Sequence, residues 1–320
     1  MVNTAETSTS FSLASKVKDY FQLIKFSLSF MVVFSCVICY LLAPNVTGFD
    51  WGMIGILFLA GMLVTGSANA INQAVEKDTD AMMKRTAKRP VASGRMSQAE
   101  AYAFAFVAGA VGVFMMGWFF ADSENGFNWN AAGLSAFSLF LYAFIYTPLK
   151  KVNSIAVLVG AFPGALPCLI GWVAATNMID PSGKMIVNGK EFSNVGGWIL
   201  FAIQFLWQFP HFWAIAWVAH GDYSKAGFKL LPADKGPTKF TAIQAVMYSV
   251  LMIPVGILPY YFGMSGQLSM WIVVACNLFM VVQCLRLYKE MDVKSARRVM
   301  FSSYIYLPIV LLALLADKVH

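Results

Sequence analysis

Between Asn72 and Pro90 the chain reads NQAVEKDTDAMMKRTAKRP, three carboxylates and five Lys or Arg side chains crowded against the end of a long apolar run. Hard cations such as Mg²⁺ take oxygen ligands, usually one or two carboxylates completed by phosphate oxygens. Asn69, Asn72, Glu76 and Asp80 recur at steps of three and four, so a continuing helix lines them along one face while Asp78 points elsewhere. Just downstream, Lys84, Arg85, Lys88 and Arg89 supply a complementary positive field. A metal-bound diphosphate satisfies both halves. A loop that only fixes topology or touches anionic lipid needs the cations but not the acids.

A second polar stretch, HGDYSKAGFKLLPADKGPTK from His220 to Lys239, offers Asp222 and Asp234 as metal ligands and Lys225, Lys229, Lys235 and Lys239 as phosphate contacts. The two stretches read as halves of one site, although a basic loop of topological origin accounts for the second equally well. Tyr146, Thr147, Lys150, Lys151 and Asn153 form a shorter group that can add phosphate donors. Residues 286–298 carry five cations with only Glu290 and Asp292 and no aligned acids, which reads as a topology signal.

The elements that must hold these groups are set by composition. With 59% hydrophobic residues, 12% charged residues and a mean hydropathy of +0.65, the chain is excluded from the class of water-soluble globules. Apolar runs long enough to cross about 30 Å of hydrocarbon fall near 26–43, 51–73, 99–121, 131–148, 153–175, 196–219, 242–262, 268–287 and 300–316. Nine helical spans are expected, because the runs do not alternate as barrel strands do and open sheet edges are excluded from lipid. Residues from about Leu13 to Lys25 fit an amphipathic helix on the inner surface, giving a segment 1–25 ahead of one nine-helix domain, 26–320.

With a cytoplasmic N-terminus, 20 of the 23 basic residues fall in inner segments, leaving Lys184, Lys190 and Lys318 outside. That asymmetry orients the chain with its C-terminus outside. The formal charge of +7 therefore describes one membrane face and is no nucleic-acid signal. No cleaved signal and no Arg-rich transit peptide is evident at the start, which points to a bacterial inner membrane.

Ionisable groups are almost absent from the middle of the spans, unlike the pattern of ion-coupled pumps. An apolar interior beneath a charged mouth suits a long hydrocarbon tail with an anionic head. His211, in FLWQFPHFWAIAW after Pro210, is the exception, and either hydrogen-bonds a neighbouring helix or contacts a substrate such as haem; His220 is a weaker candidate. Cys36, Cys39, Cys168, Cys276 and Cys284 all fall in spans and read as small packing residues.

Several of these motifs resemble the UbiA superfamily of intramembrane prenyltransferases, and within it the branch that acts on protohaem. Asn72, Glu76 and Asp80 match the first Asp-rich motif, with Glu76 where Asp is usual, and RTAKRP at Arg85–Pro90 matches the basic run that follows. YTPLKKVNSIAVLVGAFPGALPCLIGW at Tyr146–Trp172 is similar to that branch's fourth and fifth span junction, and WQFPHFWAIAW, DYSKAG and LLP through Pro232 to its sixth span and second motif. Ala226 stands where many members carry a second Asp, so the second cluster departs from the pattern. The resemblance implies an all-α, nine-helix bundle around a central cavity capped at the cytoplasmic face.

It further implies transfer of farnesyl from farnesyl diphosphate to the 2-vinyl group of protohaem IX (haem B), giving haem O for terminal oxidases. Mg²⁺ would be held by Asn72, Glu76, Asp80 and Asp222, with Asp80 and Asp222 catalytic. Lys84, Arg85, Arg89, Lys150 and Lys225 would bind diphosphate, and His211 would contact haem. The bilayer is an implied partner, and so is a haem A synthase or terminal oxidase assembly. The competing expectations are a UbiA relative with an aromatic-acid or chlorophyllide acceptor, and a non-catalytic carrier of anionic lipid or porphyrin.

Overall fold

A computed structural model describes residues 13–121, 126–232 and 236–319. Asp234 and Lys235 lie outside the described residues. Helices α1 (Leu13–Leu23) and α2 (Phe26–Leu42) open the chain, followed by α3 (Trp51–Val75), the short α4 (Lys77–Met82) and α5 (Gln98–Trp118). Next come α6 (Trp129–Phe140), a π-helical turn (Leu141–Tyr146), α7 (Thr147–Leu149) and α8 (Ala156–Thr176). A hairpin of β1 (Lys184–Val187) and β2 (Lys190–Ser193) precedes α9 (Val195–Val218), α10 (His220–Lys225), α11 (Lys239–Tyr261), α12 (Gln267–Glu290) and α13 (Val293–Ala316).

Among the described residues, eight helices are long and apolar enough to cross a membrane, counting α6 through α7 as one. The pair α1 and α2, bent by 52°, makes a ninth when taken as a single broken span. Lys25 sits at that bend in the left-handed region, φ 49°. Leu13, Val17 and Phe21 follow one another at four-residue steps and are all exposed, so α1 turns an apolar face outward as an interfacial helix does. Its other face is tied to the bundle by Lys16 on Glu100 at 2.8 Å and by Arg95 on Asp19 at 2.9 Å.

Local chemistry explains the helix starts. Asp50 accepts from the amides of Gly52 and Met53, Ser97 from Glu100, Asn128 from Ala131 and Asp292 from Ser295, each answering N–H groups that the first turn leaves open. Small residues set the crossings. A Cβ on Gly171 of α8 would collide with the backbone carbonyl of Cys36 on α2, and one on Gly197 of α9 would strike the indole of Trp172. The main core lies where α2, α8, α9, α11, α12 and α13 meet, around Trp172, Phe209, Met252 and Leu311.

Among the described residues, a two-stranded hairpin departs from the all-helical expectation. Lys184 pairs with Ser193 and Val187 with Lys190, around a turn in which Asn188 and Gly189 both have positive φ. Asn-Gly is the strongest two-residue hairpin signal. Span alternation puts this hairpin at the opposite end of the bundle from the 76–97 and 219–238 connections. The last helix also starts earlier than its apolar run, at Val293 rather than near 300, because Asp292 caps it and the basic residues 294–298 form its first turns.

Candidate active site

Helix α3 ends at Glu76, whose backbone (φ −91°, ψ 13°) breaks the regular helix before α4 begins. The hydrogen-bond ladder nevertheless runs on: the Glu76 amide donates to the Asn72 carbonyl at 3.0 Å and the Asp80 amide to the Glu76 carbonyl at 2.7 Å. This keeps the four-residue register, so Asn72, Glu76 and Asp80 line one cavity of about 250 Å³ while Asp78 is exposed. Asn69, one step earlier on the row, is consumed structurally, donating to the Ile24 carbonyl and Ser29 Oγ.

Each oxygen donor meets a cation. Lys25 Nζ donates to Asn72 Oδ1 at 2.9 Å, Lys150 Nζ to Glu76 Oε1 at 2.9 Å, and Arg89 Nη1 to both oxygens of Asp80 at 2.8 and 2.7 Å. Arg85 completes the wall and donates to the Tyr223 hydroxyl at 2.9 Å. The lining thus sets Lys25, Arg85, Arg89 and Lys150 against two carboxylates, Glu76 and Asp80. Glu76, Asp80 and Lys150 are all buried, so little water screens them from an entering anion.

The π-helical turn positions the aromatic wall. One extra residue per turn there places Tyr142 and Tyr146 in the cavity lining and leaves the Thr147 hydroxyl donating to the Tyr142 carbonyl at 2.8 Å. Asn72 Nδ2 donates in turn to Thr147 Oγ1 at 3.4 Å, joining the acidic row to the turn. Lys150 Nζ lies 4.6 Å from the Tyr146 ring centroid and 5.9 Å from that of Phe228, and Arg85 lies 5.6 Å from that of Tyr223. Apolar walls come from Val157, Phe212, Ile215 and Ala216.

The two polar stretches do meet. The Lys229 amide donates to the Lys150 carbonyl at 2.8 Å, Met83 packs with Ala226 and Phe228, and Arg85 reaches Tyr223. What α10 turns into the cavity is Tyr223, with Phe228 and Leu230 just beyond it. Asp222 and Lys225 sit beside Tyr223 on α10 but do not line the cavity, and Lys84 is exposed outside it. His220 lines an adjoining cavity of about 230 Å³, which shares Ala216, Tyr223, Phe228 and Leu230 as walls.

His211 lies elsewhere, between α9 and α13. Its Nδ1 is 2.8 Å from Ser303 Oγ and its ring stacks on Trp207 at 4.6 Å, with Tyr304 edge-on at 5.2 Å. Its neighbour Phe212 lines the cavity, whereas His211 does not. The residue that sequence reasoning missed is Lys25, counted there only as a topology charge. The available signal was its place at the junction of an amphipathic stretch and the first apolar run.

Among the described residues no three His, Cys, Asp or Glu side chains form a group that could enclose a metal ion. Two carboxylates and an amide oxygen on one cavity wall are the donor set of a hard cation that shares its shell with phosphate, so the residues fit Mg²⁺ in that manner.

A polytopic helical bundle with a buried acidic row, basic side chains paired to it and apolar walls around the same cavity has the layout of an intramembrane enzyme for amphiphilic diphosphates. The chain belongs to the UbiA prenyltransferase family, whose sequence profile matches residues 32–306. It is 43% identical to the protoheme IX farnesyltransferase of Cytophaga hutchinsonii over 96% of this chain and 100% of that protein. It is 39% identical to that of Flavobacterium johnsoniae over 96% of each. In fold it is similar to a solved digeranylgeranylglyceryl phosphate synthase, with a TM-score of 0.72, 21% identity and coverage of 95% and 98% of the two chains. It is also similar to a UbiA homologue from Archaeoglobus fulgidus solved bound to GPP and Mg²⁺, with a TM-score of 0.60, 13% identity and coverage of 92% and 99%.

Proposed function

We propose that the chain transfers a farnesyl group from farnesyl diphosphate to the 2-vinyl group of protohaem IX, forming haem O. The observation that carries the reading is the convergence of Asn72, Glu76 and Asp80 with Lys25, Arg85, Arg89 and Lys150 on one cavity with apolar walls. The name shared by the relatives at 43% and 39% identity supplies the acceptor. The reaction takes place in a bacterial inner membrane with the site at the cytoplasmic face and the C-terminus outside, as the distribution of basic residues favours.

Asn72, Glu76 and Asp80 would hold Mg²⁺ together with diphosphate oxygens, with Asp222 at the edge of the site. These residues would thereby place a divalent positive charge beside the departing diphosphate, which is the chemistry such an ion would supply. Lys25, Arg85, Arg89 and Lys150 carry the rest of that charge through hydrogen bonds that strengthen as the C1–O bond breaks. Because the carboxylates are already paired with Arg89 and Lys150, the incoming diphosphate exchanges one set of ion pairs for another instead of entering an empty polar hole. Lys84 and Lys225, exposed nearby, act as outer attractors for the anion.

Ionisation leaves an allylic cation. The faces of Tyr142, Tyr146 and Phe228 line its chamber and stabilise it without offering a strong nucleophile. Exclusion of water by the apolar walls protects it until the vinyl group attacks C1. Water then adds to the resulting cation and loses a proton, leaving the hydroxyethylfarnesyl substituent. His211, whose Nε2 has no hydrogen-bond partner among the described residues, is assigned to contact with the haem. A haem A synthase or terminal oxidase assembly would take up the product.

The test is incubation of purified protein with farnesyl diphosphate, protohaem and Mg²⁺, reading product mass. Addition of farnesyl plus water is the expected result. Binding of every component without diphosphate release would make the protein a carrier, and farnesylation of a different aromatic acceptor in preference to haem would reassign the substrate.

A further inference from the structure

Helices α12 and α13 enclose a second groove, of about 820 Å³, outside the site described above. Its floor is apolar, formed by Phe279, Phe301, Ile305 and Ile309, and its mouth is cationic, formed by Arg286, Lys294, Arg297 and Arg298. From Cys276 to Arg286 is ten residues and from Arg298 to Ile309 eleven, so the trough descends about 15 Å along each helix. That is half of a hydrocarbon core about 30 Å thick, the depth of one leaflet.

The charges at the mouth are unequally engaged. Arg298 donates to Glu290 at 3.2 Å, and Lys294 lies two residues from Asp292, whose carboxyl is held below its ordinary range mainly by the Ser295 amide that it caps. Arg286 and Arg297 are exposed and have no partner among the described residues. One turn deeper than Arg286 lies Gln283, 6% exposed, lining the groove with a carboxamide that has no hydrogen-bond partner among the described residues.

We propose that this groove binds one anionic phospholipid of the inner leaflet. Its phosphate sits between Arg286 and Arg297, an ester carbonyl about 4.5 Å deeper accepts from Gln283, and an acyl chain fills the trough. The order of groups along the groove, cations above, one polar amide a turn below, hydrocarbon beneath, matches the order along a glycerophospholipid. Zwitterionic lipid fills the same trough but brings an ammonium to a site already rich in cations. The assignment does not depend on the reaction catalysed.

Native mass spectrometry of the full chain, exchanged into equimolar phosphatidylglycerol and phosphatidylcholine, tests the idea. Preferential retention of phosphatidylglycerol is expected, falling about fivefold for each cation removed in Arg286→Gln and Arg297→Gln. Gln283→Leu keeps every charge, leaves the topology signal intact, and is expected to weaken retention while inorganic phosphate fails to displace the lipid. Equal retention of the two lipids, or a preference that survives in all three variants, would overturn the proposal. So would displacement of the lipid by equimolar protohaem, which would give the groove to a porphyrin.

Discussion

Lys150 and Glu76 lie 74 residues apart in sequence yet form a buried ion pair, Nζ to Oε1 2.9 Å, with side chains 9% and 6% exposed. The pair closes the cavity between the acidic row and the π-helical turn. Lys150→Met strands the Glu76 carboxylate and is expected to cost about 3–5 kcal/mol. Adding Glu76→Gln to that variant is expected to return most of the stability but none of the activity, since both groups face substrate. Melting temperature in detergent read beside turnover separates the two effects; a double variant no more stable than the single one would remove the pair from its structural role.

Asp80 is 1% exposed and accepts both of its short bonds from Arg89. Asp80→Asn keeps the shape and loses the charge. Turnover is expected to fall by about 100-fold or more, as when one preorganised electrostatic contact is removed from an active site. Chelation of divalent metal is expected to silence the native enzyme reversibly, with Mg²⁺ restoring it, while Asp80→Asn responds weakly to added Mg²⁺. A radiometric assay for diphosphate release over a metal titration reads both, and a variant with the native metal dependence would free Asp80 from the metal assignment.

The acidic row was legible because its chemistry and its period coincide: Asn72, Glu76 and Asp80 stay on one face even where the helix breaks at Glu76. The apolar runs announced the spans for a similar reason, since length and hydropathy are one-dimensional properties. Lys25 was not legible as a site residue, because its role depends on a 52° bend that swings the start of α2 toward α3. Asp222 presents the reverse case. Its motif is readable, but the rotation of a six-residue helix turns Tyr223 into the cavity, and no periodic signal fixes that rotation in so short an element. The Asn188-Gly189 hairpin carried a clear local signal that a reading built on hydropathy passed over.

Gly171 allows α8 to approach α2 so closely that a Cβ would meet the Cys36 carbonyl, which is backbone and has no rotamer by which to retreat. Gly171→Ala is expected to destabilise the bundle by about 1–3 kcal/mol through overpacking. The polar site residues lie on other elements, and Val157, which lines the cavity from α8, is fourteen residues away from Gly171, so enzyme that remains folded is expected to keep its KM for farnesyl diphosphate. Thermal unfolding followed by tryptophan fluorescence measures the first effect, and an unchanged melting temperature would mean that the crossing is looser than the helix separation implies.

His211 offers the sharpest separation between acceptor and donor. The ring is held on three sides, by Ser303 at Nδ1, by Trp207 stacked at 4.6 Å and by Tyr304 edge-on, so its orientation is set before any ligand arrives. It lies outside the cavity that holds the acidic row, and a substitution there should leave diphosphate binding untouched. His211→Ala is therefore expected to raise KM for haem about tenfold, the loss of one hydrogen bond to a charged or metal-bound group at roughly 1.4 kcal/mol, with KM for farnesyl diphosphate unchanged. Ser303→Ala tests the same assignment from behind the ring: freed at Nδ1, the imidazole loses its fixed orientation, and haem KM should rise by less than in His211→Ala. If both variants lower melting temperature but leave haem KM alone, the histidine serves helix packing between α9 and α13, and the acceptor must be recognised from another wall.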